Sequence, residues 1–305
     1  MRVFVAGGTG AIGRYAVPAL VSAGHRVSAL ARNEDKAALL RGQGAEPVPV
    51  SLFDREGLTA AFNGHDVVIN LASALPATRK FILKSAWTEC HRVRSEGSAA
   101  VIAAALGAKV RRIVQESVVM IYRDGGDSWI DETWPTDHFA IATGNHSAED
   151  NAGRFSRGGG DAVVLRFGIF CGHGAAHSEQ IMAMARRHIA FEAGRSTSYV
   201  SSIHLVDAAN AVTAALECPS GTYNIVDDEP VTTRDHALAM ADAVGSRPWV
   251  RGPGRLAILL GDRTTSVTRS LRVSNKRFRS VTGWKPVYPS VREGYRAMAA
   301  LESEP

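Results

Sequence analysis

The sequence predicts an α/β chain: a doubly wound parallel sheet with a small C-terminal lobe. Two observations carry this. Short apolar runs alternate with helical patterns from Arg2 to Phe167, the rhythm of parallel strands joined by crossover helices. Runs such as Asp66-Val67-Val68-Ile69-Asn70-Leu71-Ala72 are continuously apolar, as suits strands covered on both faces. The chain has 305 residues and 45% hydrophobic content, enough for one large unit or two lobes sharing a site.

The first strand, Arg2-Val3-Phe4-Val5-Ala6, runs straight into Gly7, Gly10 and Gly13. A helix is expected from about Ala11 to Ala23, closed by Gly24 and bent locally by Pro18. His25 to Ala31 reads as the second strand, Glu34 to Gly42 as a helix and Glu46 to Ser51 as the third strand. Arg55 to Asn63 is helical, and Asp66 to Ser73 covers the fourth strand and its loop. A long helix ends near Leu106, and Arg112 to Ser117 is the fifth strand. Ala148 to Ser156 is helical, and Ala162 to Phe167 is the sixth strand. Beyond Phe167 the alternation breaks down. A glycine-rich stretch from Gly168 to Gly174 precedes a helix near Glu179 to Ile189. Ser202 to Asp207 leads into an alanine-rich helix, Gly221 to Val226 is a strand and Asp235 to Val244 a helix. Residues 1–167 therefore form a Rossmann-type domain, with elements returning from 200–226, and 168–305 form mainly a C-terminal lobe. No linker separates them, so a substrate should sit in the crevice between.

The glycine loop is the strongest motif. Gly7 lets the chain turn sharply off the strand, Gly10 lets the backbone approach a pyrophosphate, and Gly13 allows close helix packing. The backbone of Thr9, Ala11 and Ile12 completes a dinucleotide cradle at the positive end of the helix. After the second strand an acidic residue would take the ribose 2′-hydroxyl of NAD. Arg32-Asn33 stands there instead, and a cation suits the 2′-phosphate of NADP(H); the alternative is an exposed surface arginine. Ser51 and Leu52 are expected to face the adenine. Leu71, Ala72, Ser73, Phe167 and Gly168, at strand ends, complete the expected cofactor contacts.

Net charge is +5, scattered rather than in a basic tract, which argues against nucleic acid. Cys90, Cys171 and Cys218 are far apart, so a reducing, cytoplasmic setting is expected and no metal site. No apolar run is long enough for a membrane span. The expected partner is a small-molecule substrate, with room left for a homodimer.

Taken together, the motifs resemble the extended short-chain dehydrogenase/reductase superfamily, of the NAD(P)-dependent epimerase/dehydratase type. The resemblance rests on the glycine loop, Ile69-Asn70-Leu71-Ala72, Leu165-Arg166-Phe167-Gly168, His204-Leu205-Val206-Asp207, Tyr223-Asn224-Ile225 and Gly283-Trp284-Lys285-Pro286. It implies an oxidoreductase-like biosynthetic enzyme. The family's machinery is a Tyr-x-x-x-Lys pair, a Ser on the preceding strand end and an Asn in the long helix. The Tyr moves a proton at the substrate oxygen, the Lys lowers its pKa and binds the nicotinamide ribose, and the Ser orients the carbonyl.

Those residues are replaced here, so the chain resembles an atypical member. Anchoring on Glu149 puts Asn145 at the Lys position and Ile141 at the Tyr position. Anchoring on Tyr122 puts Val118 at the Ser position, with Ser117 one residue earlier and so facing the other side of the strand. Anchoring on Gly97 puts Arg94 at the Asn position. No other Tyr-x-x-x-Lys occurs in the chain.

Candidate replacements lie mainly between Trp129 and His146. His138 is the leading acid/base candidate, since imidazole titrates near neutrality, with a solvated loop histidine as the alternative. Tyr122, whose counterpart in the family is usually a packing residue, and Asn145 are the other catalytic candidates, Asn145 also reaching the ribose or a substrate oxygen. Arg94, Val118, Trp134, Ile141, Cys171 and His173 are expected to line the substrate pocket. Arg94 either points inward to an oxyanion or lies on the surface, and Cys171 is otherwise a small buried residue. Glu116, at a strand end, merits one mutant. Three readings follow: a hydride-transferring tailoring enzyme, ranked first; a redox-silent lyase, dehydratase or cyclase with a structural cofactor; and a non-catalytic nucleotide sensor.

Overall fold

The computed structural model describes residues 1–301. Seven parallel strands make the central sheet: β1 (Arg2–Ala6), β2 (Arg26–Leu30), β3 (Glu46–Val48), β4 (Val67–Asn70), β5 (Arg112–Val118), β6 (Asp161–Phe167) and β7 (Gly221–Ile225). Their order is β7-β6-β5-β4-β1-β2-β3. The register runs Val5 beside Ala29 on one side and Ile69 on the other. The strand order reverses between β1 and β4, where open α/β sheets leave a crevice for ligand. The expected doubly wound parallel sheet is therefore present.

Two apolar layers sandwich the sheet. On one face Val3, Val5, Ile69, Val114 and Leu165 pack under α1 (Gly13–Ser22) and a helix at Leu205–Ala214. On the other, Phe4, Val68, Ile113 and Val164 pack with Leu58 and Phe62 of α3 (Arg55–Phe62) and Phe155. Between them lies α2 (Glu34–Gly42) in sequence, capped by Asn33, whose side chain accepts from the Lys36 amide at 3.0 Å.

Three helices differ from the sequence expectation, and the first two differences shape the site. The long helix ending near Leu106 is broken into α4 (Thr88–Arg92), a π turn at Val93–Gly97 and α5 (Ser98–Gly107). The helix expected to begin at Ala148 begins five residues earlier, as α6 (Thr143–Arg157). Gly144 and Asn145 are weak helix formers, but a Cβ at Gly144 would lie 3.0 Å from Arg94 Cβ and 3.2 Å from His91 Cα. That close packing against the α4–π segment holds the extra turn. The helix expected near Glu179 to Ile189 spans Ala176–Arg186, and Ile189 opens a short strand, Ile189–Ala193. Among the described residues, no helix is long and apolar enough to cross a membrane.

Candidate active site

A cavity of about 570 Å³ opens at the carboxyl ends of β1, β2 and β4. Gly7, Thr9 and Gly10 line it from the first loop, Arg32 from the end of β2, Ser51 and Leu52 from the segment after β3, and Leu71, Ala72 and Ser73 from the loop after β4. Lys36, Glu89 and Val93 also line it. Lys36 was not anticipated, although a cation four residues after Arg32, on the first turn of a helix, is a legible signal.

The glycines are there for space. Gly7 has φ +84°, and a Cβ on it would sit 2.6 Å from the Leu71 carbonyl carbon. A Cβ on Gly13 would lie 2.3 Å from the Gly7 carbonyl oxygen, so α1 starts directly against the loop's own backbone. Near Gly10 the closest heavy atom to such a Cβ is the Gly7 oxygen at 3.2 Å, leaving its cavity side open. Ile12, the residue before α1, provides no side-chain cap, and its own side chain is buried. Ala11 packs against the same core. What Ala11, Ile12 and Gly13 can offer a ligand is therefore backbone N–H at a positive helix end. The cradle, a bare helix end and two cations across the cavity fit a phosphorylated dinucleotide.

Other expected contacts lie elsewhere. Asn33 is committed to capping α2. Phe167 and Gly168 line a separate hollow of about 30 Å³ with Met120, Tyr199 and Arg269, and Phe167 is 1% exposed.

Beside Val93, one turn behind the cavity wall, lies a buried polar cluster. Arg94 is 4% exposed, Glu116 3% and Asn145 0%. Arg94 Nη2 donates to Glu116 Oε1 at 2.7 Å, and Nη1 donates to Asn145 Oδ1 at 2.9 Å. Of the two alternatives for Arg94, the inward one holds. The π turn accommodates the extra residue that Arg94 needs to turn into the protein; such turns recur at functional sites. Burial lifts the Glu116 carboxyl above the usual carboxylate range, while the Arg94 guanidinium draws it down. Four atoms of this cluster have no hydrogen-bond partner: Arg94 Nε, Glu116 Oε2, Asn145 Nδ2 and His91 Nε2.

Val118 and Ile141 come together in an apolar cluster with Trp87, Cys90, Ile121, Phe139 and Ala142. They are 7% and 3% exposed. No titratable oxygen belongs to any of these side chains.

Four of the expected site residues are engaged elsewhere. Tyr122 is not poised for catalysis. It is 0% exposed, its hydroxyl donates to Asn224 Oδ1 and accepts from Arg166 Nη1, both at 2.8 Å, and burial pushes it up to about 12. Arg166 is held in turn by Glu149, which also takes the Ser117 hydroxyl at 2.6 Å, so Ser117 does face this network. Cys171 does not line a substrate pocket, because it is 2% exposed in the C-terminal apolar cluster with Met182 and Tyr295. His173 is exposed beside α1, where its carbonyl accepts from the Tyr15 hydroxyl at 2.8 Å and its ring meets Glu179 at 3.6 Å. Trp134 packs on Tyr122's cluster and donates from Nε1 to the Arg123 carbonyl at 3.2 Å.

His138 is exposed and stacks on His146, ring centres 4.0 Å apart. His146 Nε2 lies 2.9 Å from the Asp137 carbonyl, and Asp137 pairs with Arg269. Among the described residues, the Asp137 side-chain contact to its backbone N–H and this stack are what orient His138.

Comparison with known proteins gives a consistent result. Residues 7–219 match the family described as NAD(P)H-binding. The chain is 32% identical over 316 residues to a 3-diazoavenalumate denitrifying reductase from a Streptomyces species, covering 96% of this chain and 99% of that one. A 2-alkyl-3-oxoalkanoate reductase from Shewanella oneidensis is 28% identical over 85% of this chain and 70% of its own. Among solved structures, a human epimerase family protein with NADPH superposes with TM-score 0.81 at 22% identity, covering 98% of this chain and 99% of that one.

Proposed function

Since this chain belongs to the NAD(P)H-binding family, within the extended short-chain dehydrogenase/reductase superfamily, we propose that it is an NADP(H)-dependent reductase whose hydride acceptor takes no proton from the protein. In this reading Gly7, Thr9, Gly10 and the amino end of α1 hold the pyrophosphate, Ser51 and Leu52 meet the adenine, and Arg32 with Lys36 takes the 2′-phosphate. The observation that carries the reading is the buried apolar cluster that contains Val118 and Ile141. We align these two with the Ser and Tyr of the family's proton-moving machinery, and neither side chain can donate or accept a proton. The Arg94–Glu116 pair beside them sums to no net charge, so a cationic electrophile meets no repulsion there.

The substrate class we propose is a small diazo compound, the kind of molecule for which the Streptomyces relative is named. A reduced nicotinamide held there would supply hydride; a substrate reacting as its diazonium cation, C–N2⁺, would exchange the C–N bond for C–H and release dinitrogen, with no proton to be delivered. The chain's own residues then have other tasks. The apolar cluster of Val118, Ile141 and Phe139 excludes water, and His138 has no proton to move.

Mixing the protein with NADPH and 3-diazoavenalumate tests this in a single turnover. One NADPH is consumed per dinitrogen released, and His138→Ala keeps the rate within about twofold. Product formed without NADPH consumption contradicts the reading and favours a redox-silent enzyme. Cofactor choice is checked separately by calorimetry. A charge-assisted contact to the 2′-phosphate is worth about 1.5–3 kcal/mol, so Arg32→Ala is expected to cut the preference for NADPH over NADH by about ten- to a hundredfold. A preference that survives the substitution shifts the role to Lys36.

A further inference from the structure

We propose that residues 75–88 and 250–263 together form a docking face for an anionic lipid bilayer. The two stretches are far apart in sequence and meet in space. The turn Ala140–Ala142 packs on both Lys84–Trp87 and Arg255–Arg263, and Lys84 Nζ lies 4.0 Å from Asp262 Oδ2.

Each stretch turns large apolar side chains outward. In Arg255–Arg263 the inward residue is Ala257, 2% exposed, whose carbonyl accepts from the Thr264 hydroxyl at 2.6 Å. Leu256 and Leu259, by contrast, are 70% and 82% exposed, and Ile258 and Leu260 are exposed as well. A helical stretch that served only its own lobe would bury the leucines. Across the junction Phe81 packs edge-on to Trp87, while Ile82 and Leu83 beside it face solvent. Single exposed apolar residues are ordinary; six on two touching segments mark an interaction surface.

Charge identifies the partner. The two stretches hold six Lys and Arg against one acid, Asp262, an excess of five that equals the net charge of the whole chain. The rest of the sequence balances at 29 of each sign. Charge that reads as scattered along the sequence is therefore gathered around one junction. Lys84 is near Asp262, and Arg251 lies 3.8 Å from Glu192. Arg79, Lys80, Arg255 and Arg263 are exposed and, among the described residues, in no ion pair. A second copy of the chain would bring the same cations face to face, and nucleic acid would leave the leucines in water. A bilayer with anionic headgroups takes both: the acyl boundary accepts the leucines, and each cation near the surface adds attraction.

The test sediments the full chain with vesicles of phosphatidylcholine alone, or mixed equally with phosphatidylserine, at about 0.01 M and about 1 M salt. Binding to the mixed vesicles is expected at low salt, at least about tenfold weaker on phosphatidylcholine alone and mostly lost at high salt. Leu256→Ser with Leu259→Ser, and Arg255→Gln with Arg263→Gln, are each expected to weaken it by at least about tenfold. All four side chains are exposed, so both variants should melt like the wild type. A control, Val281→Ser with Val287→Ser, removes exposed apolar groups outside both stretches and is expected to bind as the wild type does. No binding to the mixed vesicles, a variant of the face that binds like the wild type, or an equal loss in the control overturns the proposal. So does a wild-type dimer, seen by light scattering, that the Leu256→Ser, Leu259→Ser variant loses, since the face then belongs to a second copy.

Discussion

Glu116→Gln is expected to lower the stability of the fold by about 3–5 kcal/mol, the cost of leaving one member of a buried ion pair without its counter-charge. Arg94 and Glu116 have side chains 4% and 3% exposed, so water cannot screen the orphaned guanidinium. Gln keeps the shape and one acceptor for Arg94 Nη2 but no charge. Asn145, the other partner of Arg94, is neutral. Urea unfolding reads the change directly. A loss below about 1 kcal/mol would mean that the pair behaves as a surface salt bridge, against its burial. The counterpart is the Arg94→Met, Glu116→Leu double variant, expected to be neutral or up to about 4 kcal/mol more stable. The pair would then be retained for something other than stability.

Restoring the family's pair on paper, with Ile141→Tyr and Asn145→Lys, is expected to damage the protein. The new ammonium would replace an amide oxygen that sits 2.9 Å from Arg94 Nη1. Two like charges about 4 Å apart in a partly polar interior repel by about 4 kcal/mol. The phenol would enter an apolar cluster in which Ile141 is already 3% exposed, at a further cost of about 1–3 kcal/mol. Adding Arg94→Asn removes the like charge and leaves Glu116 free to pair with the new Lys, so the triple variant should regain most of the lost stability. Thermal melts of the double and triple variants check this. A double variant as stable as the wild type would show that Arg94 does not face position 145. A large gain in turnover would show that the site runs ordinary Tyr–Lys chemistry poorly.

The sheet was legible because parallel strands buried on both faces are mostly apolar, and residues 3–6 of β1, 67–69 of β4 and 162–165 of β6 form such runs. The bounds of α2 were legible in full, with Asn33 capping and Glu34 and Asp35 in its first turn. The glycine loop was legible for a similar reason: the crowding at Gly7 and Gly13 leaves no side chain an option. What sequence could not give was the inward turn of Arg94. Val93 to Gly97 reads as ordinary helix, and a single π turn rotates every following residue relative to that reading. The helical turn that carries Asn145 was hidden because Gly144-Asn145 looks like a loop until Gly144 is seen packed on Arg94 and His91. Tyr122 misled in the opposite way. A hydroxyl near a strand end looks available, and only the tertiary structure shows it closed off by Arg166 and Asn224.

The measurement closest to the central claim is the source of the new hydrogen in the product. The protein is given 3-diazoavenalumate with NADPH deuterated at the transferable position of the nicotinamide, in ordinary water. It is then given unlabelled NADPH in heavy water. Mass spectrometry counts deuterium at the carbon that lost nitrogen. The proposed hydride transfer predicts one deuterium from the labelled cofactor and none from heavy water. Deuterium arriving from heavy water, or none from the cofactor, would contradict it.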